Sequence, residues 1–317
     1  MRRLTTLVGV AVSVVGFAFV GFAIADQWGE AEAALEQASW GWLGAALVLA
    51  LAAMVAIGLP SRRALVLVGG PDVGWRRTLA WFLPGQLGKY VPGAVWPVVG
   101  RAELAVRGGV GRVEAYSSVA LSLATTNLGA VLGAALAFPF ALVAEEGSAA
   151  AGWWVLLLLP LGALVVHPRV LRLVERLAGR ALRRPELALV VPSWRDSAVL
   201  VLRHLPAWAL VVAATWCTAR ALDPTPALAP IAFATLASWV AGMVVLPVPG
   251  GLGVREATFA ALASTALPVG VAATVAVLAR LVFMLADAAG VAVAVPLARG
   301  QEAAAGATTS QTVKSTL

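Results

Sequence analysis

Five ionisable side chains sit inside apolar sequence: Lys89, Arg255, Glu256, Arg280 and Asp287. A charge held in hydrocarbon needs a counter-charge, water or a charged ligand, so such residues mark sites or the ion pairs that hold helices together. All five belong to broken stretches or to one helix face. Lys89 lies between Gly88 and Tyr90 in LPGQLGKYVPGAVWPVVGR, from Leu83 to Arg101, with Pro92 and Gly93 just beyond. Arg255 and Glu256 close LPVPGGLGVRE, from Leu246 to Glu256, after Gly250, Gly251 and Gly253. Arg280 and Asp287 are about two helical turns apart in a later run, which places them on one face.

The chemistry these types suit is anion binding. A lysine flanked by glycines in a broken helix either meets an anion or a carboxylate, or snorkels to the interface. Consecutive glycines allow a concave run of backbone N–H groups, and a helix starting near Val254 would aim its positive end at the break; with Arg255 beside it, that geometry suits a phosphate. The structural alternative is an ion pair from Arg255 to Glu256 or between the two breaks. Arg280 fits substrate contact, and Asp287 fits its counter-ion or a proton carrier. Arg101, Glu103 and Arg107 fall near one face just after the first break and either pin a helix end or touch head groups. Ser118, Ser122, Thr125, Thr126 and Asn127 form a polar patch that lines a pathway or bonds neighbouring helices.

Covalent chemistry has little support. His167 and His204 sit near cytoplasmic boundaries and in no metal-ligand spacing, and Cys217 lies alone in an apolar run. No serine elbow, phosphate-binding loop or close carboxylate pair is present. A non-enzymatic protein without catalytic residues, metal or cofactor is expected.

The elements that position these residues follow from composition. Of 317 residues, 61% are hydrophobic and 12% charged, with a mean hydropathy of +0.89, more apolar surface than a soluble domain can bury. The chain reads as an all-α polytopic membrane protein. Its net charge of +7 comes from arginines flanking apolar runs, the positive-inside pattern, so nucleic acid is not expected as a partner. The breaks matter for the same reason: in lipid, backbone freed from helical bonding is tolerated only where protein or a water-filled cavity satisfies it.

Charge counting orders the spans. The run from Leu4 to Ala25 follows Arg2 and Arg3 and is nearer a full span than a cleaved signal, although Ala23-Ile24-Ala25 resembles a cleavage site. Further spans are expected at about Trp40 to Leu59, Ala115 to Val143, Ser148 to Val166, Val199 to Leu222 and Gly270 to Pro296. Both flanks of the first break are basic, so it reads as the tip of a re-entrant helical hairpin. The segment from about Ala229 to Leu267 reads as a second hairpin entering from the opposite face. About six full spans plus two re-entrant hairpins, each hairpin followed by a span, is the pattern of an inverted repeat with a midplane site. Arginines at 169, 172, 176, 180 and 183 give an amphipathic cytoplasmic helix. One membrane domain is expected over residues 1–300, then a small, polar, disordered cytoplasmic tail over 301–317.

The two broken motifs resemble those of the lysylphosphatidylglycerol synthase transmembrane, or flippase-like, family. The resemblance rests on GKYVPGAVWPVVGRAEL from Gly88 to Leu104, PVPGGLGVREA from Pro247 to Ala257, and Arg280. It implies a protein that moves an anionic phospholipid or a polyprenyl-phosphate-linked lipid between leaflets of the plasma membrane, with both termini cytoplasmic. It marks Lys89, Tyr90, Pro92, Gly93, Arg101, Glu103, Gly250, Gly251, Gly253, Arg255, Glu256, Arg280 and Asp287 as the substrate-binding set. The soluble aminoacyl-transferase domain of bifunctional members is not in the chain, so lipid lysylation is not expected. Two other classes fit the residues: a membrane-embedded enzyme modifying a lipid head group, with Glu103, Glu256 or Asp287 as proton donor, and a non-transporting scaffold for a glycosyltransferase or envelope-synthesis partner.

Overall fold

The computed structural model describes residues 35–90, 96–146, 192–244 and 253–315, together with Glu32, His167, Arg169, Val190 and Gly251. The expected first span, the span at Ser148 to Val166 and all but the start of the amphipathic helix lie outside the described residues. So do Pro92, Gly93 and Gly250. Every regular element described is helical.

In chain order these are α1 (Trp40–Gly58), α2 (Pro60–Leu67), α3 (Gly74–Gly85), α4 (Trp96–Arg107), α5 (Arg112–Glu146), α6 (Trp194–Leu222), α7 (Leu228–Val244), α8 (Val254–Ala263) and α9 (Val269–Ser315). A short 3-10 turn, Gln86–Tyr90, follows α3. Four stretches are long and apolar enough to cross a membrane: Trp40–Leu67, Arg112–Leu142, Trp194–Leu222 and Val269–Ala294. They coincide with four of the expected spans. Pro60 adds α2 to the first of them, because a proline at the start of a helix forfeits no internal hydrogen bond. The helical backbone of α9 runs on to Ser315, beyond the side chains that the structure describes.

The first break separates arms too short to span. At 12 residues each, α3 and α4 are about 18 Å long, against roughly 30 Å of hydrocarbon. They run antiparallel: Arg77, in the first turn of α3, donates to the Gly108 carbonyl just past the end of α4, and Gly85 lies against the Arg101 side chain. The second pair, α7 of 17 residues and α8 of 10, closes in the same manner. Ile231 near the start of α7 shares a buried cluster with Phe259 and Ala263 of α8, while Gly242 near its end touches Gly251 and Arg255.

Packing partners correspond between the two halves. The first arm α3 packs on α9 and the first arm α7 packs on α5; the second arms α4 and α8 each pack on the long helix that follows them. α1 and α6 lie side by side and antiparallel, and the Ser39 amide donates to the Ala221 carbonyl at 2.9 Å. Their interface is small-residue packing, with Ala46, Ala50, Ala53, Ala207, Val211 and Ala214 wholly buried. Such residues let backbones approach where lipid offers no hydrophobic drive for association.

Candidate functional site

The last helix holds both breaks. Asp287 pairs with Lys89 of the first, Nζ to Oδ2 at 2.6 Å, and Arg280 donates to Glu256 of the second, Nη1 to Oε1 at 2.8 Å. Their spacing of seven residues puts Arg280 and Asp287 on one face of α9, as the sequence indicates, but the two do not pair with one another in these ion pairs. Each reaches a different broken helix. Glu256 at the second break turns to the last helix.

Glycine geometry explains why Glu256 is fixed. Gly251 and Gly253 have φ of 66° and 78°, a left-handed conformation that side chains disfavour. A Cβ on Gly251 would stand 2.8 Å from the Gly242 Cα, so the crossing of the two arms also requires its absence. The turn directs the Gly253 amide back to the Glu256 carboxylate, which accepts at Oε2 at 2.7 Å. The N-terminal end of α8, where a phosphate looked plausible from sequence, therefore holds an internal carboxylate. With one oxygen on a backbone amide and the other on a guanidinium, Glu256 is satisfied at 4% exposure, as a buried charge must be.

Arg255 lies over the Trp239 ring, with Cζ 3.5 Å from the centroid, and Trp239 in turn meets Trp208 and Phe283 edge-on. A guanidinium suits an aromatic face because it is planar and weakly hydrated. Sequence reading missed Trp239. It sits in an ordinary apolar run, and no local spacing ties it to a residue on the other side of the break. Around these groups lies a cavity of about 30 Å³ lined by Arg255, Glu256, Arg280, Thr215, Thr235 and Ser238 among others. The three hydroxyls donate to carbonyls of their own helices, at Val211, Ile231 and Thr235, so they present lone pairs to the cavity.

Arg101 turns inward rather than joining an interfacial cluster. Its guanidinium stacks on Phe82 at 4.4 Å and interacts electrostatically with Asp287, and its buried Nε has no hydrogen-bond partner. A second cavity, of about 40 Å³, lies here between Arg101, Phe82, Trp81, Ser61, Thr78 and Ser122. Glu103 points the other way, accepting from Arg112 at 2.7 Å and from the Tyr116 hydroxyl at 2.8 Å, and Arg107 is exposed. Spacing on a short helix gave a shared face; packing against α3 and α5 splits it.

Lys89 also interacts with the charges of Arg255 and Arg280, so the residues of both breaks share one electrostatic neighbourhood. The described backbone of Tyr90 ends the 3-10 turn beside it. The polar patch of α5 divides its work: Ser118, Thr125 and Thr126 donate to carbonyls of their own helix, Ser122 bonds Ser61 of α2 at 2.9 Å, and the Thr126 carbonyl accepts from Trp208 at 2.8 Å. His204 is fully buried in α6, with Nδ1 on the Leu200 carbonyl at 2.8 Å.

A family model described as the lysylphosphatidylglycerol synthase TM region matches residues 6–294. No curated protein matches the chain.

Proposed function

From the premise that the chain belongs to the lysylphosphatidylglycerol synthase TM region family, we propose that it moves an anionic amphiphile between leaflets. Membership makes it a membrane protein concerned with lipids; the moving, the site and the route are our reading. The observation that carries it is the clasp on α9, where Arg280 and Asp287 bind one break each. A head group entering between the breaks competes with two carboxylates for cations already gathered there. Glu256 and Asp287 then act as resident anions that keep the cations neutralised until a lipid phosphate takes their place. The acyl or prenyl chain stays in hydrocarbon throughout.

In this reading α3–α4 and α7–α8 are re-entrant hairpins entering from opposite faces of the plasma membrane, with both termini cytoplasmic. For the first hairpin the short arms α3 and α4 support that placement, and for both the corresponding packing partners of the two halves do. The chain performs no catalysis and takes no cofactor. A charged lipid following the membrane potential gains about 2.3 kcal/mol per charge per 100 mV, enough to drive transfer without chemistry.

Proteoliposomes with fluorescent lipids test the proposal. Wild type is expected to exchange anionic lipid between leaflets at least tenfold faster than Lys89→Ala or Arg255→Ala. Equal rates in all three would remove the site from the mechanism. One observation favours a second reading: the cavities hold only a few waters and both carboxylates are paired, as in a packed scaffold for an envelope-synthesis enzyme. Absence of exchange by folded wild type, together with capture of such an enzyme, would establish that role instead.

A further inference from the structure

Arg101 is held in place without a salt bridge among the described residues. Its guanidinium lies on the Phe82 face, Asp287 acts on it through charge, and its buried Nε has no hydrogen-bond partner. The side chain is seated by design of the hairpin. A Cβ on Gly85 of α3 would stand 2.2 Å from the Arg101 Cγ, so the stem passes only because that position has no side chain. Glu103, two residues along α4, is taken by Arg112 and Tyr116. A guanidinium keeps its charge at any working pH, and one turned into the bundle needs an acceptor.

The cavity of about 40 Å³ that Arg101 lines also receives Ser61 of α2, Thr78 and Trp81 of α3, and Ser118 and Ser122 of α5. No acidic side chain is among its lining residues. Ser61 and Ser122 bond one another at 2.9 Å, which leaves one hydroxyl proton of the two for a further acceptor. Thr78 and Ser118 donate to the Gly74 and Ala115 carbonyls and present lone pairs, which suit water accompanying an anion. Room for a few waters is about the oxygen shell of one phosphate. The depth is informative too. Thr78 to Phe82 lies about 5 to 10 Å along α3 from Trp75, a half-exposed tryptophan of the kind that anchors at the interface. Arg63, Arg76 and Arg107 are exposed at this end of the fold, where they attract anionic head groups. The oxyanion that a membrane offers at this level is the lipid phosphate.

We infer that the Arg101 cavity is a phosphate subsite apart from the two ion pairs on α9, where the guanidinium receives a head-group phosphate drawn one to two helical turns inward from Trp75. A planar fork held on an aromatic face presents its N–H edge to two phosphate oxygens at once. A free phosphate ion shares this chemistry and is the other source. The subsite stands whether or not the lipid it holds goes on to cross the membrane.

The full-length protein in maltoside micelles, which contain no phosphate, is titrated calorimetrically with dioctanoyl phosphatidylglycerol, dioctanoylglycerol and inorganic phosphate. The phosphate lipid is expected to bind about tenfold tighter than dioctanoylglycerol, and Arg101→Gln to remove about that factor, the range for hydrogen bonds to a charged group. Ser118→Val fills the cavity without changing any charge and is expected to weaken binding about threefold. It also carries the test if Arg101→Gln does not fold. Inorganic phosphate binding as tightly as the lipid, with the same dependence on Arg101 and Ser118, supports the subsite with the free ion as its occupant. Wild-type affinity in either folded variant would place the ligand elsewhere and overturn the subsite. So would a folded wild type that binds neither phosphate species, or one that binds dioctanoylglycerol as tightly as the phosphate lipid.

Discussion

The two breaks are matched in packing and opposite in charge. In the first, the cation lies on the broken helix and the carboxylate on α9; in the second, the carboxylate lies at the break and the cation on α9. Their rigidity differs as well. Glu256 is fixed by the Gly253 amide and by Arg280, within a turn that positive-φ glycines shape. Lys89 sits within a 3-10 turn on a flexible stem and is 20% exposed, while its partner Asp287 is wholly buried. A short carboxylate on a capped helix makes a fixed anchor, whereas a lysine on a loosely wound turn can swing without unfolding its support. Glu256 at the second break thus has two partners for its carboxylate, a backbone amide and a guanidinium.

The sharpest way to break this contrast is to remove each charge at its own break. Glu256→Ala leaves a buried guanidinium and an amide without their acceptor, and is expected to cost roughly 3–5 kcal/mol of stability, read from thermal unfolding in detergent. Lys89→Ala should cost clearly less, because Asp287 retains the charge of Arg101 close by. A larger loss from Lys89→Ala than from Glu256→Ala would reverse the roles assigned here.

Exchanging the first pair sharpens the comparison further. Lys89→Asp and Asp287→Lys should each destabilise alone, and combining them should recover about 1–3 kcal/mol, the range for contacting residues. Additive losses would show that the ion pair does not act as a unit.

The smallest effect belongs to a pair outside both breaks, which serves as a control. Asp72, in the connection between α2 and α3, accepts from Arg62 at 2.5 and 2.6 Å and from the Gly74 amide. The Arg62 hydrogen bond above all, and the Gly74 amide after it, hold its carboxyl down at about 2 against an ordinary 3.8. A depressed carboxyl contributes stability that is present above the ordinary value and lost as pH falls from about 4 to about 2. Limited proteolysis of this connection should rise only slightly over that window and be absent from it in Asp72→Asn, since exposed pairs contribute little.

Much of this was legible in the chain. Apolar runs and arginine flanks located four described spans, and clustered proline and glycine located both breaks, because those signals act through local backbone chemistry and through the cost of charge in lipid. The face of Arg280 and Asp287 was legible for the same reason, helical period being local. Glu103 was not: its spacing from Arg101 suggested a common cluster, but Arg112 and Tyr116 of the next helix draw it away. The burial of His204 was not legible either, since it depends on which helices pack around α6.

Sequence by itself determined the class of protein, the breaks in its helices and which charges stand beside them. Tertiary structure alone decided that Lys89 meets Asp287, that Glu256 meets Arg280 while occupying its own helix amide, and that Arg255 stacks on Trp239. The physical reason is one of range. Propensity, period and hydropathy act over a few residues, whereas a counter-ion is chosen by whichever helix packs across the break, and that choice is made only when the bundle closes.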